Sequence, residues 1–168
     1  FDFAKSLKSE TVTRINNYYA YQLTRHYDID PVIIIVNTLN NQEINPLAAD
    51  LFSRWQIGKS TRGKKGLLLL VGVSEQRLRI ETGYDLEHIF TDLFVARTER
   101  ELLNEFFEQG IWDIAFLSFL ENLSHLVETK AEKGEDVAPI TSPSVLADSH
   151  YSGGAGAVTT FDFGAAMN

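Results

Sequence analysis

The chain contains no cysteine among its 168 residues. That absence removes disulfide staples, zinc–thiolate centres, redox dithiols and a cysteine nucleophile together. It leaves the compartment open, because secreted and cytosolic chains can both lack cysteine. Basic charge is also scarce: 15 Lys and Arg against 23 Asp and Glu give a net charge of −8 and a pI near 4.9. Binding a phosphate backbone needs a basic footprint, so nucleic acid is not expected as the partner. Long hydrophobic runs are missing too. The longest apolar stretch, residues 67–73, is broken by Gly72 and falls far short of the roughly 20 residues of a membrane-spanning helix. No signal-peptide pattern opens the chain. Its first residue is Phe1 rather than Met, which reads as a mature or trimmed form from which a signal or anchor could have been removed.

What is present divides in two. Residues 1–128 are periodic and apolar-rich, enough for one hydrophobic core. Residues 129–168 begin acidic, pass Pro139 and Pro143, and reach Ser152-Gly153-Gly154-Ala155-Gly156, the composition of a linker or tail. Within the tail, Phe161-Asp162-Phe163 repeats the opening Phe1-Asp2-Phe3. Three residues are too few for a repeat in the architectural sense, but the two phenylalanines suit docking on an apolar surface.

Periodicity orders the domain. Val12, Ile15, Tyr19 and Leu23 recur at helical steps, giving a helix over 9–27. The β-branched run 32–36, led by Pro31, reads as a strand buried on both faces. Asn45-Pro46 looks like an N-cap and first turn, opening a helix that Gly58 ends. Residues 67–73 form a second buried strand, and 77–82 alternate as a third, joined by the turn 74–76. Asp85 is expected to cap a helix carrying Leu86, Ile89, Phe90, Leu93 and Phe94. Thr98-Glu99-Arg100-Glu101 reads as a capping box opening another, stopped by Gly110. A last helix is expected over 111–128. The order α-β-α-β-β-α-α-α implies a right-handed parallel crossover plus an antiparallel hairpin strand, covered by helices on both faces. The fold class is therefore α/β: a three-layer α/β/α sandwich with a small mixed sheet.

This topology brings Asp28, Asp30, the loop 59–65 and the turn 83–87 to one edge of the sheet. Asp2, residues 37–43 and the turn 74–76 go to the other, a strand's length of roughly 17 Å away.

Motif chemistry is sparse. Gly58-Lys59-Ser60 resembles the end of a phosphate-binding loop, but Ser53 stands where the first glycine belongs, and the segment closes a helix instead of opening one. His26, His88, His125 and His150 form no metal-ligand pair, and no Gly-x-Ser-x-Gly elbow supports a serine hydrolase. The basic loop with Lys59, Arg62, Lys64 and Lys65 reads as solvated, with anion binding as the alternative. The cluster of Glu81, Asp85 and Glu87, with Asp92 beyond, offers hard oxygen ligands suited to Ca2+ or Mg2+. The plainer reading makes these acids helix-start residues.

Several collinear segments resemble the TPM domain family. They are Asp2-Phe3-Ala4 at the opening, Leu51-Phe52-Ser53-Arg54-Trp55-Gln56-Ile57-Gly58, the glycine-led strand Lys65-Gly66-Leu67-Leu68-Leu69-Leu70-Val71, the run Arg79-Ile80-Glu81-Thr82-Gly83-Tyr84-Asp85-Leu86-Glu87 followed by Asp92, and Phe106-Phe107-Glu108-Gln109-Gly110-Ile111-Trp112. The resemblance covers residues 1–128 and implies an α/β/α sandwich. It further implies an extracytoplasmic setting, periplasmic or cell-surface, with membrane anchoring in the full-length protein and membrane-protein complexes of the envelope as partners. A bound Ca2+ or Mg2+ is implied, with Asp2, Asp85, Glu87 and Asp92 as metal ligands and Trp55, Gly58, Gly83 and Tyr84 shaping the site. Two activities are compatible with it: a cation-binding interaction or assembly module, and a metal-assisted acid phosphatase acting on phosphomonoesters. The chain departs from the family's pattern where Asp85 and His88 replace glycines.

Overall fold

The computed structural model describes residues 1–133; the expected tail beyond them, with His150 and Phe161-Asp162-Phe163, lies outside the described residues. Helix α1 spans residues 9–27, with a π-helical stretch, Ile15–Ala20, between α-helical Ser9–Arg14 and Tyr21–Tyr27. Strand β1 is Asp30–Val36, helix α2 is Ile44–Arg54, β2 is Gly66–Gly72 and β3 is Arg77–Thr82. Helix α3 spans residues 92–108, α-helical over Asp92–Leu103 and π-helical over Asn104–Glu108. Helix α4 is Trp112–Glu132, four residues beyond the expected stop.

The sheet order is β1-β2-β3, parallel for the first pair and antiparallel for the second. Strand β2 is central and wholly buried, and its side chains alternate between faces as pleating requires. Leu67, Leu69 and Val71 join the core under α1, α3 and α4. Leu68 and Leu70 join the smaller core under α2. The result is a three-layer sandwich with three helices on one face and one on the other.

Strand β1 is an edge strand, so only Ile34, Ile35 and Val36 are buried, fewer than a strand covered on both faces would show. Its outer edge is partly covered by the opening of the chain. The Phe1 amino nitrogen donates to Ile33 O (2.8 Å), Ile35 N–H to Phe1 O (2.9 Å) and Phe3 N–H to Ile35 O (2.9 Å). Pro31 lies on this same outer side, where its missing N–H costs no ladder bond.

Three helix starts differ from the sequence reading. Helix α2 begins at Ile44 with Glu43 at the cap position; Asn45 and Pro46 both fit inside the first turn, where N–H groups are unpaired anyway. Asp85 caps no helix. It sits inside a 3-10 turn, Tyr84–Leu86, and Thr91 caps α3 by accepting from Phe94 N–H (3.4 Å). The apolar spacing of Leu86, Ile89 and Phe90 comes from a tight turn that buries all three. Thr98 stands mid-helix, and Glu101 pairs with Arg97 (2.7 Å) instead of closing a capping box.

Loop ends are tied by acids and glycines. Beyond β1, Glu75 accepts from Thr38 Oγ1 (2.7 Å) and Leu39 N–H (2.9 Å), joining the β1–α2 loop to the β2–β3 turn. Burial opposes the Glu75 charge, but these donors outweigh it and hold its pKa below the ordinary value. At the opposite end, three backbone segments meet at Gly66. A Cβ on Gly66 would lie 2.6 Å from Ile57 O, one on Gly58 would strike Gly66 N, and one on Gly83 would strike Lys64 O. Gly58 also holds φ +80°.

Two outcomes follow. Gly83→Ala forces backbone apart and should cost about 3 kcal/mol, lowering the thermal midpoint by roughly 10 °C; calorimetry checks it. Glu75→Ala should cost about 1 kcal/mol at pH 7 after solvent screening. Because the folded-state pKa is depressed, that contribution is present above the unfolded value of 4.5 and disappears as pH falls below it. Denaturant titrations of wild type and variant should therefore converge in acid.

Candidate functional site

The edge where β1 and β2 begin holds the densest set of candidate residues. The loop 58–65 folds back on the strand starts and is fastened by carboxylates. Asp30 accepts Gly58 N–H (2.8 Å), and Asp28 accepts Arg62 N–H (2.6 Å) with the Arg62 guanidinium 4.0 Å away. Thr61 Oγ1 accepts Lys65 N–H (2.7 Å). Asp28 can do this because it ends α1 in the left-handed conformation, φ 57°, which an acidic side chain tolerates.

The turn after β3 lies over this loop. Gly83 N–H donates to Gly66 O (2.8 Å), and the Asp85 carboxylate rests against Gly63, filling the space a Cβ there would take. Asp28 and Asp85 thus flank consecutive residues, Arg62 and Gly63. Among the described residues the side chains of Asp85 and Glu87 have no hydrogen-bond or ion-pair partner. Tyr84, in the same turn, is 76% exposed.

The other expected ligands stand elsewhere. Asp2 bridges to Ile35 beyond the outer edge of β1, and its two oxygens accept Ser6 N–H (3.1 Å) and Leu7 N–H (2.9 Å). Gly66, beside the 83–87 turn, pairs with Asp30, five residues before Ile35; that is about 17 Å along a strand. Asp92 is exposed at the start of α3, past the opposite edge of the sheet, where its charge acts on Arg79. Asp2, Asp85, Glu87 and Asp92 do not converge, and among the described residues no three carboxylate or imidazole groups gather around a metal position. Of the expected shaping residues, Gly58 and Gly83 meet at Gly66. Trp55 packs edge-on to Phe1 (5.4 Å between centroids) and covers the α2 core.

A polar network that sequence reading missed lines the free edge of β3. Glu99 of α3 accepts Ile80 N–H (2.8 Å), and Arg79 bonds Glu81 (2.8 Å) and approaches Glu99 (3.6 Å). The edge N–H that could recruit a foreign strand is therefore capped. Burial raises the Glu99 pKa, assisted by Glu81 and opposed by the Ile80 N–H and Arg79. Burial likewise opposes the Arg79 charge, but Glu81, Glu99 and Asp92 hold its pKa above the ordinary value. No spacing rule links residues 79–81 with 99; only the packed α3 does. Glu99→Gln keeps the acceptor and removes a disfavoured charge, so it should be at least as stable as wild type at pH 7. That advantage should shrink as pH falls through the raised Glu99 pKa. Glu99→Ala uncaps Ile80 and should lose about 1 kcal/mol. Urea unfolding of the two variants checks the pair.

Comparison with known proteins agrees with this architecture. The N-terminal domain of a protein from P. gingivalis, solved by solution NMR, superposes with a TM-score of 0.68 at 18% identity, covering 77% of this chain and 81% of that one. The BA42 protein from the psychrophilic bacterium Bizionia argentinensis gives a TM-score of 0.59 at 16% identity, covering 71% and 80%. At such identities the likeness concerns the fold alone. No curated protein matches the chain. The TPM domain matches residues 1–126, nearly the whole described structure, and the chain belongs to that family.

Proposed function

We propose that this TPM domain is a cation-dependent interaction module of the cell envelope, docking on membrane-protein complexes through the turn 83–87. The observation that carries the reading is the pairing of an exposed aromatic, Tyr84, with two acids, Asp85 and Glu87, whose side chains have no partner among the described residues. Exposed aromatics beside unsatisfied charge are typical of surfaces that bury on contact. Asp85 and Glu87 would supply hard oxygens for Ca2+ or Mg2+, and water and backbone carbonyls would complete the shell. The open, exposed position fits the weak end of calcium affinity, about 10⁻⁴–10⁻³ M, that serves outside the cytoplasm. Asp2 and Asp92 take no part in this site. The extracytoplasmic, membrane-associated setting rests on the family resemblance.

One observation favours a second reading, a metal-assisted phosphatase. Lys59, Arg62 and Lys64 share the loop beneath Asp85, and metal-bound carboxylates next to basic side chains are what a phosphomonoester requires.

In 10 mM Ca2+ the wild type should gain about 1–3 kcal/mol of stability. Asp85→Asn with Glu87→Gln should abolish the gain, while Asp92→Asn should retain it. Thermal unfolding with and without the ion measures this, and a gain that survives the double substitution removes the site. Hydrolysis of p-nitrophenyl phosphate in the same buffers should be absent; turnover lost in the double variant would favour the phosphatase.

A further inference from the structure

A cleft of about 250 Å³ lies between α3 and α4. Its floor is apolar. Leu102 and Phe119 are buried, and Phe94 packs on the large core beside Phe90, 5.8 Å between ring centroids. Phe94, Thr98, Glu101 and Glu105 recur along α3 at three- and four-residue steps, so they form one stripe along the groove. Ser118 and Asn122, one turn apart on α4, complete the wall.

The charged groups in this wall are Arg97, Glu101 and Glu105. Arg97 is already engaged: its Nε donates to Glu101 Oε1 (2.7 Å). Glu105 is partly buried, and its carboxylate has no hydrogen-bond or ion-pair partner among the described residues. The same holds for the side chains of Thr98, Ser118 and Asn122. The cleft therefore carries one uncompensated negative charge, several hydroxyl and amide oxygens, and an aromatic floor. An anion would meet Glu105 with Arg97 already spent. A metal ion would lack ligands, because Glu101 is held by Arg97 and no three carboxylate or imidazole groups gather among the described residues. What the wall complements is an ammonium group on an apolar body. An ammonium only donates hydrogen bonds, and Glu105, Ser118 and Asn122 offer it acceptors. The body would lie on Phe94, Leu102 and Phe119, where an aromatic ring face also favours a cation.

We propose that the α3–α4 cleft binds a small organic ammonium ion, an arylalkyl or alkyl primary amine, with Glu105 as the counter-charge. The volume sets the size of the occupant. It falls below the roughly 300–1,000 Å³ of sites for drug-sized ligands, which suits a free small molecule and is too little for a helix or strand of a partner. The net charge of −8 raises the local concentration of cations at the surface. The inference is independent of the Ca2+ reading, since neither Asp85 nor Glu87 lines this cleft.

Nitrogen–proton NMR titration of the full chain with 2-phenylethylamine, in calcium-free buffer, tests it. Saturable shifts are expected at residues 97–105 and 118–122, with a Kd of about 1 mM, the scale for so small a ligand. The alcohol 2-phenylethanol has the same body without the charge and should bind about tenfold more weakly. Glu105→Gln should reduce the amine to the affinity of the alcohol. Ser118→Phe, which fills the cleft from an exposed position, should remove both. The comparison of amine with alcohol needs only the wild type, so it decides even where a variant does not fold. Equal affinity for the two ligands overturns the proposal, as does the absence of saturable shifts, shifts centred outside the cleft, or unchanged amine affinity in folded Glu105→Gln. Nα-acetyl-lysine methylamide presents the side chain of a protein lysine. Tighter binding of it than of 2-phenylethylamine also overturns the proposal, assigning the cleft to a lysine of a partner protein.

Discussion

Everything at the candidate site rests on a contact between main chains. The end of α2, the start of β2 and the end of β3 come so close at Gly66 that Gly58, Gly66 and Gly83 have no room for a Cβ. This contact closes the loop 58–65 over the strand starts and sets the turn 83–87 above it. Side chains then fasten what the glycines permit: Asp30 on Gly58, Asp28 on Arg62 and Asp85 against Gly63. The acids at this rim are held by a scaffold whose tolerance at that point is less than one methyl group, which is how a surface site can be preorganised without a deep pocket.

The opposite end of the sheet uses another device. Glu75 draws two loops together by accepting from Thr38 and Leu39, and Asp2 folds the opening of the chain by accepting from Ser6 and Leu7. Glu99 does similar work on the β3 edge. Carboxylates here act chiefly as acceptors for loop and edge N–H groups. An acidic composition is consistent with that use, since each backbone donor removed from water needs a partner.

The layers were legible in the sequence because burial imposes its period. The unbroken apolar run of β2, the β-branched run of β1 and the polar alternation of β3 identified three strands, and the tight turn at 74–76 fixed the antiparallel pair. Helix starts were less legible. Thr98-Glu99-Arg100-Glu101 carries the letters of a capping box, yet Glu99 is used by Ile80 and Glu101 by Arg97; a local motif yields when tertiary partners compete for its side chains. Asp85 was misread for a related reason, since Leu86, Ile89 and Phe90 bury as well from a compact turn as from a helix. The topology correctly grouped Asp28, Asp30, the 59–65 loop and the 83–87 turn, and correctly kept Asp2 apart. The Arg79–Glu81–Glu99 network was invisible because it depends on how α3 lies along the sheet.

We propose that the rim formed by Arg62-Gly63 and the turn 83–87 is the cation-responsive surface of this TPM domain. Amide shifts in a two-dimensional nitrogen–proton NMR titration with Ca2+ test it residue by residue. The expected result is saturable movement in the millimolar range confined to residues 28, 62–63 and 84–87. Movement centred instead on Asp2 or Asp92, or none at those concentrations, would contradict it.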